Sequence, residues 1–138
     1  RKGELDAAEA AYARARDADP ALAGAWQGLG NVYFSRSAWK QALMAYRRAL
    51  ALDANIAGVT FNIAKVHLQT ASPDSAIAAL ELTLITAPDD VEALYLLGDL
   101  YRQGGRASEA RRLYERAFSL DPEAERVGAV RQFLEGHL

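Results

Sequence analysis

The sequence predicts an all-α fold, an α-solenoid of about eight helices paired as antiparallel hairpins. Three observations predict it. The set Ala8, Tyr12, Ala15 returns as Ala42, Tyr46, Ala49 and again as Ala110, Tyr114, Ala117, at steps of 34 and 68 residues, with Ala76, Leu80 and Thr83 in the intervening place. A second set, Trp26, Leu29, Gly30, Tyr33, is followed at the same interval by Thr60, Ile63, Ala64, His67 and by Leu94, Leu97, Gly98, Tyr101. A turn column reads Pro20, Ala54, Pro88, Pro122. A fixed period of this length marks units that bury their apolar faces only by stacking on one another.

Helices are expected near 4–17, 22–35, 39–51, 56–70, 73–86, 90–103, 107–119 and 123–135. The first reads as the second half of a truncated repeat (1–22). Full repeats follow at 23–56, 57–90 and 91–124, and 123–138 forms a C-terminal capping helix, so 1–138 is a single array. Gly30, Ala64 and Gly98 are expected to face Ala42, Ala76 and Ala110 and to let paired helices approach closely. Ala15, Ala49 and Ala117 leave room for the next hairpin, and the large residues of the second set fill the space between helices. Pro20, Pro88 and Pro122 cannot continue a helix interior and so punctuate the repeats. Ser72-Pro73 and Asp121-Pro122 read as N-caps followed by a first-turn proline. Gly104-Gly105 supplies a turn. The last helix places Val127, Val130 and Leu134 on one face and Glu125, Arg131, Gln132 and Glu135 elsewhere, with Gly136 as its C-cap.

At these residues the chain resembles the tetratricopeptide repeat family. Its signature is a Trp/Leu/Gly/Tyr set on one helix, an Ala/aromatic/Ala set on the next, and then proline. The resemblance covers nearly the whole chain and implies a right-handed superhelix, with the chain as a segment of a longer protein. The middle repeat departs most, with Thr60, His67 and Thr83 at signature positions. The resemblance also implies that the first helix of each hairpin lines a concave groove. The triplets Gln27/Asn31/Phe34, Phe61/Lys65/Leu68 and Tyr95/Asp99/Arg102 each lie at i, i+4, i+7, on one helical face. Phe61 and Tyr95 are expected as apolar contacts, Asn31, Lys65 and Asp99 as the polar column, and Asn62 as a hydrogen-bonding neighbour. One subclass of the family grips a C-terminal carboxylate with two asparagines and three cations. Asn31 and Asn62 match the asparagines, but the cation positions hold Gln27, Glu92 and Leu96, so that clamp is rejected. The column Gly28, Asn62, Leu96 likewise forms no asparagine ladder.

Composition narrows the function further. The 138 residues carry a formal net charge of -2, which gives no footprint for a nucleic-acid backbone. There is no cysteine, which excludes thiolate nucleophiles and cysteine zinc sites. No apolar run is long enough to span a membrane. His67 reads as a packing residue, and with the distant His137 it gives no zinc signature. Gly24, Gly28 and Gly30 follow no strand and precede no Lys-Ser, so they form no phosphate loop. Asp89 and Asp90 read as helix N-terminal charges, and Arg111, Arg112 and Arg116 as a solvated face interleaved with Glu109 and Glu115. No serine stands in a nucleophile elbow.

The function expected is therefore a non-enzymatic scaffold that binds a protein or peptide partner in the groove, with no cofactor, no metal, no nucleic acid and no membrane insertion. Two alternatives stand beside it: a self-assembly module joined through the uncapped N-terminal end, where Tyr12 is open, and a recruiting segment of a larger enzyme or complex. The expected setting is soluble, with the cytoplasm preferred to the periplasm.

Overall fold

The structure is a computed structural model. It describes the backbone of residues 1–123 and 127–136, and the side chains of the same residues except 127 and 129. Among the described residues there are eight helices and no strand: α1 (Lys2–Ala18), α2 (Ala23–Ser35), α3 (Trp39–Leu52), α4 (Val59–Gln69), α5 (Pro73–Thr86), α6 (Val91–Gln103), α7 (Ala107–Leu120) and α8 (Val127–Glu135). Two compact units, 1–76 and 77–138, divide the chain inside α5.

In the first unit α1 packs on α2, α2 on α3 and α3 on α4. In the second, α6 packs on α7 and α7 on α8. The small residues of the 34-residue period point inward: Ala42, Ala49, Ala64, Ala76, Ala110 and Ala117 have no exposed surface. The glycines in this pattern lie against an aromatic ring of the next helix. A Cβ on Gly30 would stand 2.5 Å from the Tyr46 ring, and one on Gly98 would stand 2.6 Å from the Tyr114 ring. The column leaves room for an aromatic ring. Where the ring becomes Leu80, the glycine column holds Ala64. Thr83, polar in a column of alanines, is buried, and its Oγ1 donates to the Ala79 carbonyl at 2.9 Å, which satisfies the hydroxyl inside its own helix.

The bends that close the hairpins share one device. Ser37, Ala71 and Gly105, 34 residues apart, all take a left-handed backbone, with φ of 58°, 52° and 79°. After each, the next amide reaches back around the helix end: Ala38 to the Tyr33 carbonyl at 2.8 Å, Ser72 to His67 at 2.8 Å and Arg106 to Tyr101 at 2.7 Å. This six-to-one bond satisfies a carbonyl that the ending helix leaves unpaired. A second device recurs after α1, α3 and α7. The Asp19, Asp53 and Asp121 carboxylates accept from the amides two residues on, at 3.1, 3.0 and 3.3 Å, and so tie the inter-hairpin turns.

Several boundaries differ from expectation. α4 begins at Val59, not near 56, because Gly58 holds φ 84° and breaks the helical phase. Asp121 closes α7 and Pro122 lies in a turn, so this pair does not cap and open α8. Pro73 does open α5 as its first residue. On α8 the buried anchors are Val130 and Phe133, with Leu134 half-buried. Phe133 packs edge-on against Tyr114 at 5.3 Å between centroids. Arg131, Gln132 and Glu135 are exposed, as expected of the outer side. The side chains of Glu125, Val127 and His137 lie outside the described residues.

Candidate protein-binding surface

α2 and α4 bring most of the expected contact residues together in the first unit. The Lys65 ammonium sits between two rings, 5.3 Å from the Phe34 centroid and 5.3 Å from that of Phe61. Phe34 is itself held edge-on by Trp39 at 5.1 Å. The electron-rich ring faces attract the cation and hold its flexible stem in place. Neither α2 nor α4 contains an Asp or Glu. Asn31 accepts from the Tyr46 hydroxyl at 2.7 Å and from Asn62 Nδ2 at 3.3 Å. Gln27 donates to the Ala57 carbonyl at 2.9 Å and braces the loop before α4. Leu68 is half-buried one turn beyond Lys65.

The corresponding residues of α6, in the second unit, are internally engaged. Tyr95 is 2% exposed and lies 6.4 Å from the Tyr114 ring, so in this structure it is a core residue rather than an open aromatic contact. Asp99 accepts from the Tyr114 hydroxyl at 2.5 Å and lies 3.7 Å from Arg102. Arg102 also stands over the Tyr114 and Phe133 rings.

One rule accounts for the polar column Asn31, Lys65, Asp99. An acceptor stands where the next helix supplies a tyrosine hydroxyl, Tyr46 or Tyr114. Where that ring is Leu80, no hydroxyl needs a partner and the column holds a lysine. Burial holds the Tyr46 hydroxyl protonated, with its pKa pushed up to about 12, so it remains a donor across the physiological range.

The remaining charges behave as structure. Asp90 caps α6 by accepting from the Ala93 amide at 3.0 Å. Asp89 pairs with Arg116, and Arg111 lies 3.8 Å from Glu115. His67 is half-buried; burial first, and then the nearby Arg47 charge, lower its pKa. Among the described residues no group of three or more His, Cys, Asp or Glu could hold a metal ion. No helix among them is long and apolar enough to cross a membrane.

Comparison with known proteins decides the family. The profile described as "Tetratricopeptide repeat" matches residues 61–125, and a second, "TPR repeat", matches 30–70. The chain is a tetratricopeptide repeat protein. Among curated relatives it is 29% identical over 125 residues to anaphase-promoting complex subunit 3 of Schizosaccharomyces pombe, and 30% identical over 105 residues to the human protein O-mannosyl-transferase TMTC3. Those matches take in 91% and 75% of this chain but only 19% and 12% of the relatives. Among solved structures, MamA superposes with a TM-score of 0.82 at 24% identity, over 96% of this chain and 76% of that one. A tetratricopeptide repeat protein from Parabacteroides merdae gives 0.85 at 24% identity, over 97% and 54%. The first tetratricopeptide domain of Spaghetti, solved with an HSP90 peptide, gives 0.74 at 19% identity, over 83% and 92%. The all-α class expected from the period is the class of these neighbours.

Proposed function

We propose that this tetratricopeptide chain is a non-enzymatic scaffold that holds a segment of a partner protein against the α2–α4 face. One observation carries the reading: a lysine held between two phenylalanine rings on a surface with no acid residue of its own. That arrangement offers a partner an apolar contact and a fixed positive charge side by side. A tetratricopeptide neighbour solved with a peptide supports the general mode. Its peptide chemistry does not transfer to this chain. Gln27, at a cation position of the carboxylate clamp, is neutral and spent on Ala57, and Glu92, at another, would repel a carboxylate. The bound segment is thus held by an internal acidic side chain on Lys65 rather than by a chain terminus.

The test is affinity capture with the intact protein, read by mass spectrometry against the double variant Phe61→Ala/Lys65→Glu. Both side chains are half-buried at a surface, so helix content is expected to persist. Partners retained by the native protein and lost by the variant are the expected outcome. An unchanged set of partners overturns the reading. Tyr95→Ala is unsuitable for this purpose, since truncating a buried ring costs about 3–5 kcal/mol of stability.

A further inference from the structure

The outer side of α3 carries a feature that the α2–α4 surface does not absorb. Lys40, Met44, Arg47, Arg48 and Ala51 are all exposed, and at 100° per residue they fall on one face of the helix. α3 holds these three cations and no Asp or Glu. Among the described residues, none of the three forms an ion pair, whereas Arg111 and Arg116 of α7 pair with Glu115 and Asp89. Met44 stands in the middle of the face at 72% exposed. Beside it opens a cleft of about 240 Å³ walled by Trp26, Leu29, Tyr33 and Met44. The Trp26 ring forms the wall between two guanidinium groups, Arg16 at 5.6 Å and Arg48 at 5.9 Å, and its indole N–H is fixed on the Pro20 carbonyl at 3.1 Å.

We propose that this face is a second docking surface, for an acidic segment of a partner protein that inserts one apolar or aromatic side chain into the cleft. Charge complementarity selects the acidic segment: an uncompensated cluster of cations on a chain of net charge -2 is satisfied by carboxylates brought from outside. The size of the cleft selects the anchor. It is smaller than the roughly 300–1,000 Å³ of a small-molecule site and suits a single side chain. A nucleic acid fits less well, because three cations on an acidic chain give too short a basic track.

The probe is the acetylated and amidated pentapeptide Asp-Asp-Phe-Asp-Asp, titrated into the protein while amide and indole chemical shifts are followed by NMR. The expected result is displacement of the Trp26 indole and the α3 amides, about tenfold weaker binding in Lys40→Glu/Arg48→Glu, and no change in Phe61→Ala. Met44→Asp, at an exposed side chain, is a second weakened variant. Weakening with added salt is also expected. The proposal is overturned if no shifts appear, or if Asp-Asp-Ala-Asp-Asp or Lys-Lys-Phe-Lys-Lys acts equally well. It is also overturned if the shifts map to α2 and α4 and vanish in Phe61→Ala. Tighter binding of single-stranded oligothymidylate, or of phosphatidylcholine–phosphatidylserine vesicles, assigns the face to another class of ligand and equally overturns it. Because this surface and the Lys65 surface are tested by different variants, either can fail alone.

Discussion

Gly30 has no room for a side chain, and the reason is the ring of Tyr46 at 2.5 Å from where its Cβ would be. Gly30→Ala is therefore expected to cost about 1–3 kcal/mol, the usual penalty for overpacking a core. Tyr46→Leu in the same chain should relieve much of that cost, because Ala64 and Leu80 already occupy these two columns elsewhere in the period. Urea unfolding of the two single variants and the double variant measures the coupling, and strictly additive losses would contradict the contact. At this scale the sequence exposed the columns but not the rings that lie over them. Spacing shows which residues share a helical face, yet it does not show which ring lies over which glycine. The same blindness hid Tyr95 in the core. Its i, i+4, i+7 relation to Asp99 and Arg102 is real, but Tyr114 covers it from the next helix.

At the scale of the element, the left-handed residue after each first helix is the informative part. Ala71 holds φ 52°, a conformation that crowds its Cβ against the following carbonyl at a cost of roughly 1–2 kcal/mol. Ala71→Gly is expected to stabilise the chain by about 1 kcal/mol, less the extra freedom that glycine gains when unfolded. A rise in the urea midpoint with an unchanged slope is the measurement that checks it. Gly104-Gly105 was readable as a turn because glycine advertises one. Ser37 and Ala71 were not, since nothing in a serine or an alanine marks positive φ, and only their 34-residue alignment with Gly105 gives them away. The late start of α4 and the role of Phe133 were missed for related reasons. Gly58 sits inside an otherwise helical pattern, and Phe133 is one place along from the Leu134 stripe that periodicity favours.

For the whole molecule, pH and length carry the consequences. His67 has its pKa lowered by burial and by Arg47, so the unfolded chain binds its proton more readily than the folded one. Stability is then undiminished above about pH 6.5, the ordinary histidine value, and declines as pH falls below it. His67→Tyr, which installs the residue found at positions 33 and 101, should flatten that decline in unfolding curves recorded through mildly acidic pH. The overall class was legible from the period alone, because helix pairing depends on residue size at fixed intervals. The charge that distinguishes the α2–α4 surface was also named from spacing, although its aromatic bracket needed coordinates. The recurring bend at Ser37, Ala71 and Gly105 bears on how such a chain tolerates insertions and deletions. Removing one residue between α2 and α3 would turn every later side chain on α3 by about 100° and bring Leu43 round to the place of Ala42. Gain or loss of a complete 34-residue copy shifts no side chain about its axis, so chains of this kind are free to grow or shrink in whole periods while fractional changes are purged.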